Sequence, residues 1–163
     1  MSEKDLFMYR TDRIYVNENH ELYAYLDGFA HKAKCLHNAA LFRIRNAFTA
    51  HNKTALTANE KEVRDELALL KGQKSYYVLG KGVVEHVFRI TNNPDFFSEL
   101  PMQTAQHVIR QVCTDFKGWL ASLKKYRKDP SGYTGNPRCL DTVRMIQLLI
   151  FLPIRMLLSM MGN

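Results

Sequence analysis

The clearest regular pattern in the chain lies in residues 20–50, HELYAYLDGFAHKAKCLHNAALFRIRNAFTA. Apolar side chains recur there at steps of three and four, which is the spacing of one face of an α-helix. These positions are Leu22, Leu26, Phe29, Ala33, Leu36, Ala40, Ile44 and Ala47. The pattern predicts a long helix from His20 to about Ala50 with this face buried.

Two more helices are predicted from apolar spacing and end signals. In residues 57–72, TANEKEVRDELALLKG, we expect Asn59 as the N-cap, acids in the first turn, Lys71 in the last turn and Gly72 as the stop. Pro101 suits the first position of a third helix, which should run to about Lys128. The apolar stripe of this third helix is Ala105, Val108, Val112, Phe116, Trp119 and Leu123.

The remaining segments indicate little other regular structure. Residues 10–16, RTDRIYV, predict one short strand because β-branched and aromatic residues precede a turn at Asn17. Residues 75–100 contain short apolar runs interrupted by glycines and an Asn-Asn-Pro turn, so they predict a mixed segment. Residues 129–138, DPSGYTGNPR, have the composition of a loop. The expected fold class is therefore mainly α, a helical bundle with minor β structure.

Basic side chains are concentrated on the faces of the first and third predicted helices. The whole chain has 23 Lys and Arg against 16 Asp and Glu, a formal net charge of +7. At about 100° per residue, five polar positions of the third helix fall within about 40° of one another, opposite the apolar stripe. We call them the basic ridge: Gln106, Arg110, Lys117, Lys124 and Lys128. On the first helix, Lys34, Asn38 and Arg45 face away from the core, with Lys32 and Arg43 on the flank.

The scarcity of acids beside these cations favours a polyanionic partner. Only Asp115 interrupts the span from Met102 to Lys128, and no acid occurs between His31 and Ala50. Like charges along a helix repel one another by a few tenths of a kcal/mol per pair, so the arrangement costs stability unless a polyanion neutralises it. The alternative interpretation is an ordinary solvated face, because exposed helix faces are usually charged.

The sequence carries no pattern typical of an active site. Cys35, Cys113 and Cys139 are far apart, and no cluster of His, Cys or carboxylate residues has metal-ligand spacing. We therefore predict no metal, no cofactor and no catalytic residue. Charged residues near the N-terminus occupy the place where a signal peptide needs an apolar stretch, so a cytoplasmic protein with reduced cysteines is expected.

Two long segments, residues 10–48 and residues 100–138, resemble the front half of the TnpB family. These are the segments that run from RTDRIYVNENHELYAYLDGF to FRIRNAF and from LPMQTAQHVIRQVCTDFKGW to GYTGNPR. TnpB proteins are OrfB-type transposases of insertion sequences, related to type V CRISPR effectors. In that family the matching segments form the start of a wedge domain and a helical recognition lobe, which hold guide RNA and the guide–target heteroduplex.

The resemblance implies an RNA-guided DNA endonuclease of which this chain has only the N-terminal part. Residues 1–18 would be the wedge-domain strand region and residues 19–138 the recognition lobe. The RuvC-like nuclease and zinc ribbon of the family have no counterpart here, so the chain should not cleave DNA alone. The expected partners are guide RNA and target DNA, contacted through backbone phosphates by Lys34, Arg43, Arg45, Arg110, Lys117, Lys124 and Lys128.

The apolar tail, residues 139–163, has three competing interpretations. Codons permitted for Arg138 to Val143 can be read in a shifted frame as Leu-Pro-Gly-Tyr-Cys, close to the family's continuation, so we hypothesise that a lost base near Arg138 produced an out-of-frame tail. A buried helix is possible, although Pro153 would kink it. A membrane anchor is disfavoured because residues 145–161 are short for a span and contain Gln147, Pro153 and Arg155. The competing function is a helical protein-interaction or membrane-associated module anchored by this tail.

Overall fold

The computed structural model describes residues 16–70, 78–98 and 100–143 as a bundle of four helices. The helices are α1 (Tyr23–Ala50), α2 (Ala58–Ala68), α3 (Lys81–Ile90) and α4 (Met102–Lys128). No strand occurs in those ranges, and the prediction of a mainly helical fold is confirmed. The strand predicted for residues 10–16 lies outside the described residues, apart from Val16.

Helix α1 is the centre of the bundle, packing against both α4 and α2, while α3 packs against α4. The predicted long helix is confirmed, although it begins at Tyr23 instead of His20. Its apolar face is buried from Phe29 to Ala47, whereas Leu22 and Leu26 are only half-buried. Leu41 is also fully buried although it lies outside that face, so α1 is covered on more than one side. The common core of the bundle combines Leu36, Ala40, Leu41 and Ile44 of α1 with Val63, Val84, Phe88, Val108, Ile109, Val112 and Phe116.

Helix α2 begins at a capping box, not at the predicted Asn59 cap. The N-cap is Thr57: its hydroxyl accepts from the backbone N–H of Glu60 at 3.4 Å, and its own N–H donates to Glu60 Oε2 at 2.9 Å. The prediction was wrong because Thr57 and Glu60 form the Thr-x-x-Glu pattern, which satisfies two backbone donors at once. Glu60 is the predicted acid in the first turn; Lys71 and Gly72 lie outside the described residues.

Helix α3 was not predicted from the sequence. Its ten residues bury Val84, Val87 and Phe88, which is the i, i+3, i+4 spacing of a single helical face. It ends where Asn92 adopts a positive φ of 47° and the N–H of Asn93 donates to Phe88 O at 2.9 Å. Asparagine tolerates this left-handed conformation better than most residues, so the predicted Asn-Asn-Pro turn also serves as the C-terminal stop.

Helix α4 follows the predicted third helix closely. Pro101 precedes it as the N-cap instead of occupying its first position, a shift of one residue. Ala105, Val108, Val112 and Phe116 are buried as predicted, whereas Trp119 and Leu123 are only half-buried near the end of the bundle. The predicted loop, residues 129–138, is held on α4 by the indole N–H of Trp119, which donates to Pro137 O at 3.0 Å.

Arg43 of α1 contacts residues of α2 and α3. It is buried, whereas the sequence analysis placed it on the surface. Only 8% of the residue is exposed. Its Nη2 lies 2.7 Å from Glu66 Oε1 of α2, and its guanidinium carbon lies 4.8 Å from the ring centre of Phe88 in α3. Arg43 Nε and Glu66 Oε2 are buried and form no hydrogen bond within the described protein. The pair therefore has a single direct hydrogen bond, so it is weaker than a bidentate one.

Replacing Arg43 should show how much the free energy of unfolding falls when the buried Glu66 carboxylate loses its partner. Arg43→Met keeps much of the side-chain volume but strands the Glu66 carboxylate, and we expect a loss of about 2 to 3 kcal/mol in unfolding free energy. The double variant R43M/E66M should recover more than half of that loss, because no unpaired charge remains. Urea unfolding followed by circular dichroism measures both. Equal losses in the single and double variants would contradict the ion-pair explanation.

The capping box also predicts how stability depends on pH. Hydrogen bonds from Lys53, at 2.6 Å, and from the Thr57 backbone lower the pKa of Glu60 from 4.5 to about 2. A carboxylate whose folded pKa is depressed stabilises the fold above its unfolded pKa and loses that contribution as pH falls. The stability advantage of the wild type over Glu60→Gln should therefore be largest above pH 4.5 and disappear toward pH 2. Urea midpoints of both proteins across this range test it, and a constant difference would contradict it.

Candidate nucleic-acid interface

The basic ridge of α4 faces outward in the folded chain. Arg110, Lys117, Lys124 and Lys128 are exposed, and Gln106 is half-buried. The apolar side of the helix is occupied by α1 and α3, so packing leaves this side to solvent. At about 1.5 Å per residue, the ridge extends about 27 Å from Arg110 to Lys128.

The four cations of the ridge form no ion pair with any carboxylate in the described ranges. Asp115, the acid nearest in sequence, accepts a hydrogen bond from Gln111 at 2.8 Å on another side of α4. The exposed arc beside the ridge carries neutral or weakly basic groups instead of acids. Its residues are Gln103, His107, Gln111, Thr114, Gly118 and Ala121. The positive potential of the ridge is thus not neutralised locally.

The dipole of α4 can account for the positive charge of some ridge residues but not of others. Lys124 and Lys128 lie close to the C-terminus of α4, together with Lys125 and Arg127, where basic side chains stabilise any helix through its dipole. Arg110 and Lys117 are in the middle of the helix, several turns from that end, and the dipole gives no reason for their charge. They are the more informative members of the ridge.

Two thiols and an imidazole next to these helices are uncharged at neutral pH. Burial raises the pKa of Cys113 to about 11, and the nearby Lys117 offsets only part of this effect. Burial also lowers the pKa of His37, while its hydrogen bond to Asn38 and the charge of Asp115 act in the opposite direction. Burial raises the pKa of Cys139 as well. Both thiols therefore lack the thiolate form that a cysteine nucleophile needs.

The outward face predicted for α1 is partly covered by the chain that follows the loop. The Asn38 side chain donates to Val143 O at 3.2 Å and accepts from Val143 N–H at 2.9 Å. Cys139 and Leu140 pack against the core beside it. Arg45 is exposed but lies close enough to Cys139 to influence its pKa, and Lys34 is half-buried. Arg45 therefore borders the 139–143 segment, and Arg43 is removed from the candidate surface by its ion pair with Glu66.

Arg89 is a surface cation that the sequence analysis missed. Its guanidinium carbon lies 5.2 Å from the ring centre of Phe96, and its Nη2 lies 3.7 Å from Met102 Sδ at the start of α4. Arg89 itself is exposed. It was missed because α3 was not predicted, and an isolated arginine in a mixed segment has no assignable face. The repeated apolar spacing of Val84, Val87 and Phe88 was the signal that could have revealed it.

The described residues contain no site for a metal and no membrane-spanning helix. No group of three or more His, Cys, Asp or Glu in residues 16–70, 78–98 and 100–143 could hold a metal ion. Within the same ranges, no helix is both long and apolar enough to cross a membrane. Residues 144–163, which contain the segment considered as an anchor, lie outside the described residues.

Comparison of the chain with protein-family models, curated proteins and solved structures found no match in any of the three sets.

Asn38 can be tested as the residue that holds the 139–143 segment on α1. Asn38→Ala removes both hydrogen bonds to Val143, so the segment should detach more often and expose Cys139. We expect faster alkylation of Cys139 by iodoacetamide in the variant, followed by peptide mass spectrometry. Cys113 serves as the internal control because it is buried in the core and should react equally slowly in both proteins. An unchanged rate at Cys139 would show that Asn38 does not hold this segment.

Proposed function

We propose that this chain binds the backbone of guide RNA or of an RNA–DNA heteroduplex through the basic ridge, as the N-terminal part of a TnpB-like RNA-guided endonuclease. The observation that carries the proposal is a row of four exposed cations along one side of α4, without an ion pair to any described carboxylate. The sequence resemblance of residues 10–48 and 100–138 to that family supports it independently.

The expected mode of binding is electrostatic and independent of sequence. Lysine and arginine contacts to phosphates release condensed counterions, and this release dominates non-specific affinity. A ridge about 27 Å long could contact several phosphates along one strand or one groove of the duplex. Side chains on such a ridge reach phosphates but have no fixed donor pattern for base edges, so the shape and charge of the duplex would be recognised.

The chain is proposed to hold nucleic acid and not to cleave it. Arg110, Lys117, Lys124 and Lys128 would contact the phosphates, with Lys34 and Arg45 at the edge of the surface. Arg43 is excluded from this set because it is buried against Glu66. The cutting step would belong to the RuvC-like half of the family.

A pair of charge-matched variants tests the ridge. Arg110→Ala with Lys117→Ala removes the two cations that the helix dipole cannot explain. Lys61→Ala with Arg64→Ala removes the same charge from exposed positions of α2, where acids and bases alternate. We expect the ridge variant to bind an RNA–DNA heteroduplex about 10-fold or more weakly at low salt, and the slope of log affinity against log salt to fall by about 1.4 to 1.8. Fluorescence anisotropy titrations between about 50 and 200 mM salt measure both quantities.

The affinity of the α2 variant for the heteroduplex should be within about two-fold of that of the wild type. This variant lowers the net charge of the protein but removes no cation from the ridge. Equal effects of the two variants, or no effect of either, would make the ridge an ordinary solvated face. A duplex of scrambled sequence should bind as tightly as the original, because no base edge is read.

A further inference from the structure

The junction of α3 and α4 combines exposed apolar side chains with a cation. Ile90, Phe97 and Met102 are 44%, 48% and 40% exposed, respectively. Ile90 follows Arg89 at the end of α3, Met102 begins α4 and lies 3.7 Å from Arg89 Nη2, and the Phe97 ring packs on Phe96, the same ring that Arg89 contacts. We call Arg89, Ile90, Phe97 and Met102 the junction patch. Large apolar side chains this exposed are few in the described ranges; the others are Tyr25 of α1 and Leu69 of α2. Three exposed apolar residues and an arginine at one helix junction make a candidate for binding.

Arg89 is held in place without being neutralised. One side of its guanidinium faces the ring of Phe96, with 5.2 Å between the guanidinium carbon and the ring centre, and Nη2 rests 3.7 Å from the sulfur of Met102. No carboxylate in the described ranges pairs with it. Stacking on an aromatic ring fixes the planar guanidinium while leaving its charge and most of its donors available. Such a group is suited to an anionic partner with planar or bidentate geometry.

The ring of Phe97 is fixed by packing on Phe96, although 48% of the residue is exposed. Its ring meets that of Phe96 edge to face, with ring centres 5.2 Å apart and planes at 81°. Phe96 is 1% exposed and lies 5.8 Å from Phe88 in the core, so the supporting ring cannot move freely. An aromatic ring fixed by buried neighbours loses little further freedom when a flat ligand stacks on it.

The junction patch lies at the N-terminal end of the basic ridge. Met102 precedes Gln106 by one helical turn and, at about 100° per residue, is only about 40° from it around the α4 axis. From Met102 to Arg110 the axial distance is about 12 Å. A strand lying along the ridge toward the start of α4 would therefore arrive at Arg89 and Phe97.

We propose that the junction patch binds an unpaired nucleotide at the end of a duplex whose backbone lies on the basic ridge. Phe97 stacks on the base and Arg89 pairs with its phosphate, a combination typical of single-strand binding sites. No carboxylate in the described ranges compensates the charge of Arg89, which favours this ligand over an apolar protein segment that would have to desolvate the guanidinium. This inference depends on the proposed function of the ridge.

The experiment compares RNA–DNA heteroduplexes of about 20 base pairs. One duplex is blunt. Each of the four others carries a short unpaired overhang at one end: the RNA 5′ end, the RNA 3′ end, the DNA 5′ end or the DNA 3′ end. The wild type should bind at least one overhang duplex about 5-fold or more tightly than the blunt duplex. Phe97→Ala should abolish this preference and leave the affinity for the blunt duplex unchanged, whereas Phe97→Tyr should preserve it. Arg89→Ala should reduce the preference, and Arg89→Lys should restore only part of it because lysine cannot stack on Phe96.

The matched control is Leu69→Ala, which shortens another exposed apolar side chain, on α2, and should keep the preference. Thermal unfolding of each variant confirms that the fold is intact. Equal binding of blunt and overhang duplexes, with blunt binding still dependent on Arg110 and Lys117, would overturn the junction site alone. A Phe97→Ala variant weakened equally for all duplexes would also overturn it, since the ring would then support the ridge instead of a base. Absence of binding to every duplex would overturn both proposals.

Discussion

The packing of α1 against its neighbours is the constraint on which the other features of this fold depend. Ala33, Ala40 and Ala47 recur every seven residues along α1 and are almost completely buried. Side chains this small allow neighbouring backbones to approach closely, and Leu36, Leu41 and Ile44 fill the space around them. Because α1 and α3 occupy the apolar side of α4, no other described helix packs on the opposite side of α4. The outward position of the basic ridge is therefore a consequence of core packing.

The described ion pairs are concentrated away from that ridge. Glu66 neutralises Arg43, Glu60 neutralises Lys53, and Glu85 neutralises Lys81, so three acids of α2 and α3 pair with cations away from the ridge. Arg89, Arg110 and Lys117 are left without such partners in the described ranges. This uneven use of acids concentrates positive potential along α4 and at its junction with α3. A polyanion placed there would gain the attraction without having to compete with a carboxylate.

The long helices and the ridge could be predicted from the sequence, whereas contacts between distant residues could not. Apolar spacing located α1 and α4 to within a few residues, because long amphipathic patterns are reliable. The sequence analysis placed the N-cap of α2 at Asn59 and overlooked the Thr-x-x-Glu pattern that begins at Thr57. Helix α3 is ten residues long, with Gly80 as its N-cap and Gly82 in its first turn, so its single buried face resembled an irregular segment. Arg43 was placed on the surface because helical angles do not show that α2, 23 positions later, returns to supply Glu66.

The only tryptophan of the chain occupies a position that makes it a built-in optical reporter. Trp119 sits 5.8 Å from Phe48 of α1 and 5.2 Å from Phe116, while its indole N–H is fixed to Pro137 of the loop. The wavelength of its fluorescence emission maximum depends on the polarity and the solvent exposure of the indole ring. Intrinsic fluorescence therefore reports whether α1, α4 and the 129–138 loop remain assembled, without any dye attached to the molecule.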